Sequence, residues 1–198
     1  MTTKADFTTE EWDALMAGPL AASMYIIVSS PSVFGSIKEM TAMSKELAKA
    51  ATRPDNTELL RFLLADYQDK DALKRSMPDV KGQPGEVLAA LRPTIQTATR
   101  LLEEKATPEE SAQIRQWMYD LAVKVAEAAK EGGFLGIGAV RVSDSEKKAL
   151  VELAEVLDVP VADIAEDAVT SAPADAEAES EAPAAEDDQG EASDEDAT

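Results

Sequence analysis

Three acidic side chains flank a glycine-rich stretch in the C-terminal half of the sequence. Glu131 precedes the glycines, and Asp144 and Glu146 follow them. Carboxylate oxygens are the ligands that hard cations such as calcium and magnesium prefer in proteins. The set therefore predicts a divalent-metal site made of Glu131, Asp144 and Glu146, and no other cofactor is expected.

The same acidic residues also have a purely structural interpretation. Ser143 and Glu146 have the spacing of a capping box, in which the two side chains satisfy the backbone N–H groups that begin a helix. Asp144 would stand in the first turn of that helix, where negative charge is favourable. The Asp-x-Asp-x-Asp-Gly pattern of an EF-hand is absent from this region. Capping and metal binding both stay open.

The glycine-rich stretch, residues 132–138, carries three large apolar side chains: Phe134, Leu135 and Ile137. Its glycines are not in the order of the dinucleotide fingerprint, and the lysine of a phosphate loop is missing. Loops often carry binding residues, and exposed apolar groups mark interfaces. We therefore predict that Phe134, Leu135 and Ile137 contact a protein partner. The alternative is that they fold back and cover the end of the core.

The composition argues against most enzyme chemistry. The chain has no cysteine and no histidine, which removes thiolate nucleophiles and the commonest general base. Ser36 and Ser143 have no histidine to activate them. With 39 acidic residues, carboxylate pairs arise by chance on any helical surface. The prediction is a non-enzymatic protein, with carboxylate acid–base catalysis as the third function class after partner binding and metal sensing.

The charge is distributed unevenly along the chain, whose net charge is −20. Residues 166–198 contain 13 acidic and no basic residues, whereas residues 1–165 hold all 19 basic and 26 acidic residues, a net charge of −7. No basic stripe is present to neutralise phosphates, so neither nucleic acid nor an anionic membrane surface is an expected partner. The acidic, apolar-poor segment 166–198 is predicted to be a disordered tail.

The first uncharged stretch of the chain raises the question of a membrane. Residues 14–37 carry no charge, but their continuous apolar part, residues 20–28, is far shorter than the roughly 20 residues that span a bilayer. The sequence starts with acidic residues and not with the basic region of a secretion signal. We predict a cytoplasmic protein without stable membrane insertion.

Apolar residues recur at spacings of three and four through most of the chain, and no segment shows sustained strand alternation. Helices are predicted to begin at the Thr8–Glu11 capping box, near Pro19, at Ser36, at 55–58 and at 86. Two more are predicted, one from Thr107, with its proline at the next position, to residues 132–133, and one from Asp144 to Leu157. Gly18 and Pro19 are expected to end or kink the first helix, with a second helix from about Pro19. Residues 68–85 are expected to be mostly loop.

Two parts of the chain follow one plan. Residues 20–28 and residues 121–129 are apolar helical segments, and each is followed by a turn and a Ser-x-x-Glu capping box, at Ser36 and Ser143. This repetition predicts a pseudo-duplicated all-α bundle of six or seven helices. The predicted organisation is one helical domain, residues 1–165, followed by the acidic tail, residues 166–198.

The second copy resembles a known family. Its helix ends in Ala128-Ala129-Lys130-Glu131-Gly132, and the next helix opens with Ser143-Asp144-Ser145-Glu146 and continues through Leu150 and Leu153. This pattern is similar to the tellurite-resistance TerB-like helical domain and covers roughly residues 117–157. The resemblance implies an all-α bundle of two related halves and an acidic patch suspected of binding metal. It also implies a link to stress response, to phage defence and to metal-linked processes at the inner membrane face.

The sequence thus predicts a protein-interaction or scaffold module resembling TerB-like stress-response domains. Its partner is a protein, and self-association into a homo-oligomer stays open. The rival hypothesis is a divalent-metal sensor that uses surface carboxylates.

Overall fold

The structure, a computed structural model, describes residues 1–30, 36–130 and 142–163, and for residues 36–40 and 129–130 the backbone alone. Within these ranges the chain forms seven α-helices and no strand, which confirms the all-α prediction. The helices are α1 (Thr9–Ser29), α2 (Ser36–Ala50), α3 (Glu58–Asp66), α4 (Lys70–Ser76), α5 (Pro84–Lys105), α6 (Pro108–Lys130) and α7 (Asp144–Leu157).

Helix α1 forms the centre of the bundle. Its start is fixed as predicted, because Thr8 accepts a hydrogen bond from the backbone N–H of Glu11 and Glu11 accepts one from the backbone N–H of Thr8. The helix is apolar on all sides, as expected of a helix surrounded by protein. It packs against α4, α5, α6 and α7. By length and composition it is also the one described helix that could cross a membrane, although 61% of its most apolar window is buried in the bundle.

The predicted break at Gly18 and Pro19 is wrong, since α1 continues through both residues. Proline lacks an N–H group and normally interrupts a helix. Here both residues are buried, and Gly18 lies so close to α5 and α6 that an added Cβ would touch Ala98 and come within 3.0 Å of Met118 Cε. Tertiary packing on both sides therefore holds the helix together across its weakest point.

Helix α4 lies inside the segment that the sequence predicted to be mostly loop. Asp69 caps it, since its Oδ1 accepts hydrogen bonds from the N–H groups of Asp71 and Ala72. Ala72 and Ser76 are buried where α4 packs on α1. The next helix, α5, begins at Pro84 instead of residue 86 and contains Pro93.

The two parts of the chain that follow one plan, α1–α2 and α6–α7, share one hydrophobic core. α6 packs against both α1 and α2, and α7 packs against α1, α5 and α6. Side chains from both parts belong to a single buried cluster that includes Leu20, Ile26, Leu121, Val125 and Leu153. α7 has the predicted bounds. The predicted end of α6 at residues 132–133 and the predicted tail, residues 166–198, lie outside the described residues.

Candidate functional site

The predicted partner-contact residues Phe134, Leu135 and Ile137 lie outside the described residues, as does Glu131 of the predicted metal site. Their roles stay predictions. The candidate site must therefore be built from the remaining predicted residues and from what the described helices bring together.

Asp144 and Glu146 stand in the first turn of α7, where Glu146 completes a capping box. Its Oε2 accepts hydrogen bonds from the backbone N–H of Ser143 at 2.8 Å and from the Ser143 hydroxyl at 2.7 Å. Glu146 is only 3% exposed, and its other oxygen, Oε1, has no hydrogen-bond partner within the described part of the chain. Asp144 is exposed. No group of three potential metal ligands occurs among the described residues.

One concave feature of the described surface is a groove between the C-terminal half of α2 and the middle of α6. We call it the α2–α6 groove, and its volume is about 260 Å³. Its lining residues are Glu46, Lys49, Ala50, Arg53, Trp117, Asp120, Leu121, Val123 and Lys124. It leads into a recess of about 130 Å³ that shares Arg53, Trp117 and Asp120 and adds the polar groups of Asn56, Gln113 and Gln116.

Hydrogen bonds from side chains fix one end of the groove. The Asn56 amide donates to the carbonyl of Ala50 at 2.7 Å, and this bond holds the segment that follows α2 against the end of the helix. Gln113 on α6 accepts from the backbone N–H of Thr57 at 2.7 Å and donates to the carbonyl of Asp55 at 2.8 Å. The connection between α2 and α3 is thereby attached to α6, so the groove wall is held by polar contacts as well as by packing.

The floor of the groove is apolar. Trp117 is 7% exposed and its ring lies 6.2 Å from that of Tyr67, so the indole is fixed from beneath. Ala50 and Leu121 are buried beside it, and Val123 is half-buried. Tryptophan is also among the residue types enriched at the binding hot spots of protein interfaces.

The rim of the groove is charged, and its basic side chains form ion pairs. Lys49 pairs with Glu46 at 3.6 Å, Arg53 with Asp55 at 3.1 Å and Lys124 with Glu127 at 2.7 Å. The hydrogen bond that Lys124 donates to Glu127, with the nearby charges of Glu46 and Asp120, raises the pKa of Lys124. Lys124 therefore carries a positive charge near neutral pH, which suits electrostatic recognition of a partner.

Among the described residues, the carboxylates with shifted pKa values accept hydrogen bonds from neighbouring parts of the fold. Burial raises the pKa of Glu110, but hydrogen bonds from Thr2 and Thr107 outweigh it and lower the pKa to about 2. The pKa values of Asp6, Glu11, Asp55 and Asp69 are also lowered, chiefly by hydrogen bonds. A general acid or base near neutral pH requires a raised carboxyl pKa. These groups do not favour the carboxylate-catalysis hypothesis.

A polar network on another face joins three helices. The Tyr25 hydroxyl on α1 donates to Glu152 on α7 at 2.6 Å, and Arg92 on α5 donates to the same carboxylate oxygen at 2.8 Å. Burial and the Glu152 hydrogen bond raise the pKa of Tyr25. The adjoining cavity measures only about 10 Å³, so this network serves to connect helices.

Comparisons with known proteins matched no family model, no curated protein and no solved structure. The resemblance to TerB-like domains therefore stays a prediction, and function must be argued from the geometry of this chain. Sequence reasoning missed the α2–α6 groove because its walls come from residues more than 60 positions apart, such as Arg53 and Trp117. The partial signal was Trp117 and Leu121 in the apolar stripe of α6.

Proposed function

We propose that the chain is a non-enzymatic interaction module that binds a polypeptide segment of a partner protein in the α2–α6 groove. The observation that carries this proposal is an apolar floor containing Trp117, enclosed by a rim of exposed charges. A groove between two helices is a common binding site for an amphipathic segment, which places apolar anchors on the floor.

The rest of the described surface supports the choice of this groove. Among described residues, the large hydrophobic side chains that are exposed are Met1 and Met77 alone. Surface ion pairs such as those of Lys49 and Arg53 contribute about 0–1 kcal/mol each. A partner can therefore exchange its own charges for these pairs at little cost to the folded chain.

The test uses two charge reversals matched in their surroundings. Lys124→Glu changes the groove rim, whereas Arg100→Glu changes a residue on α5 that forms an equivalent ion pair with Glu104 one helical turn away and does not line the groove. Affinity capture from native extract, quantified by mass spectrometry, should recover a partner with wild type and Arg100→Glu and lose it with Lys124→Glu. A partner retained equally by both variants would place recognition elsewhere, and replacing Phe134 and Leu135 by Ser then tests the predicted loop contact.

A divalent-metal sensor is the second candidate, favoured by the buried Glu146 Oε1 that has no described hydrogen-bond partner. Calorimetric titration with calcium and magnesium tests it. A binding signal abolished by Glu131→Gln supports the sensor, and the absence of heat above dilution rejects it. A cytoplasmic location is proposed on the short apolar stretch of residues 20–28, and a TerB-like role in stress response is proposed on the resemblance alone.

A further inference from the structure

We infer that the segment bound in the α2–α6 groove is acidic, with carboxylates beside an apolar side chain. This inference rests on the proposed function and adds the chemistry of the partner. It depends on the charges that line the groove, on their exposure and on their positions.

The groove lining is locally basic within a strongly acidic chain. Three basic side chains, Lys49, Arg53 and Lys124, line the groove against two acidic ones, Glu46 and Asp120. The partners Asp55 and Glu127, which neutralise Arg53 and Lys124, do not line it. The chain as a whole carries a net charge of −20, so this net positive lining departs from the general charge of the molecule.

The basic groups are also accessible. The side chains of Lys49, Arg53 and Lys124 are 70%, 55% and 46% exposed, whereas that of Glu46 is 29% exposed. Long basic side chains can keep contact along their stems while their charged ends reach a ligand. An incoming carboxylate therefore meets three exposed cations and one exposed carboxylate, that of Asp120, whereas Glu46 is half-buried.

The basic groups lie on both sides of the apolar floor. Lys49 lies in the last turn of α2, and Arg53 lies three residues beyond the end of that helix at Ala50. Lys124 stands across the groove on α6, near Glu46, at the end opposite Arg53. Carboxylates of a partner segment can pair with these cations, while an apolar side chain between them contacts the floor at Trp117 and Val123.

The test compares two blocked peptides with identical apolar residues and opposite charge, acetyl-Ala-Glu-Leu-Ala-Ala-Glu-Leu-Ala-amide and its counterpart with Lys in place of Glu. Each is titrated into the ¹⁵N-labelled full chain. The two indole N–H signals provide an internal control, because Trp117 lines the groove and Trp12 is buried elsewhere, with its indole donating to Asp66. We expect the acidic peptide to shift the Trp117 signal and leave that of Trp12 in place.

We further expect Lys124→Glu to weaken the acidic peptide about tenfold, since reversing one charge replaces an attraction by a repulsion of similar size, and Arg100→Glu to leave binding unchanged. Equal or tighter binding of the lysine peptide would overturn the inference and leave the proposed function standing. If neither peptide binds, both the inference and the proposed function lose their support.

Two other occupants are distinguished by the same samples. A doubled mass in sedimentation that Lys124→Glu abolishes would assign the groove to a second copy of the chain and overturn the inference. Acidic-peptide binding that appears only after the carboxylates of residues 166–198 are replaced by amides would assign the groove to the chain's own C-terminal segment, again overturning it.

Discussion

Adding one methyl group at Gly18 should destabilise the whole bundle. The added Cβ would overlap Ala98 Cβ on α5 and lie 3.0 Å from Met118 Cε on α6. Carbon atoms in contact prefer about 3.5–4.0 Å, so α1 and α5 must move apart by about 1 Å. Overpacking of a core costs about 1–3 kcal/mol, and the upper end applies because two long buried helices must shift. Alanine regains about 1 kcal/mol over glycine in a helix, which leaves a net loss of about 2 kcal/mol.

The measurement is urea unfolding of Gly18→Ala, with two comparisons. Gly85→Ala serves as the control, since an added Cβ there meets nothing within 4 Å, and it should leave the free energy of unfolding unchanged or raise it by up to about 1 kcal/mol. Ala98→Gly removes the Cβ atom that the new methyl group would overlap. The double variant Gly18→Ala with Ala98→Gly should therefore lose about 3 kcal/mol less unfolding free energy than the two single variants lose together. Simple additivity of the two single variants would refute the reasoning.

Three further predictions follow from buried polar contacts. Because the pKa of Glu110 is lowered to about 2, its ionised carboxylate stabilises the fold fully above the ordinary pKa of 4.5, and this stabilisation is lost as pH falls toward 2. Urea unfolding at pH 5 and pH 2 should therefore show the difference in unfolding free energy between wild type and Glu110→Gln shrinking by about 3 kcal/mol. A constant difference would contradict this. Tyr25→Phe removes the hydrogen bond to Glu152 and should lower the free energy of unfolding by about 1 kcal/mol, checked by the urea midpoint at unchanged slope. Ser143→Ala removes the α7 cap and leaves Glu146 with one partner fewer, so thermal unfolding should show a loss of about 1 kcal/mol, and an unaltered midpoint would count against the cap.

Local signals allowed the sequence to predict much of the fold. α7 has its predicted bounds because Ser143 and Glu146 mark its start, and α6 begins at Pro108 after Thr107, as the local pattern indicates. The start of α1 is equally local, since Thr8 and Glu11 satisfy each other's backbone N–H groups. Elements whose boundaries are set by neighbouring side chains can be predicted without knowledge of the rest of the chain.

Errors arose where distant packing decided the outcome. Gly18 and Pro19 locally favour a break, but α5 and α6 enclose them and the helix continues. α4 is too short and too charged to show a periodic pattern, and its stability comes from packing on α1. The candidate groove combines Arg53 with Trp117, and no spacing rule relates residues so far apart in sequence.

The central position of α1 has a consequence during synthesis. α1 leaves the ribosome before α5, α6 and α7, which cover it and are translated up to about 130 residues later, a delay on the order of 10 s at typical elongation rates. Over that interval a helix of 21 residues with a mean hydropathy of 1.2, uncharged from Ala14 onward, lacks these three neighbours. The nascent chain should therefore depend on a chaperone that holds exposed apolar segments, and slowing translation between α1 and α5 should increase its aggregation.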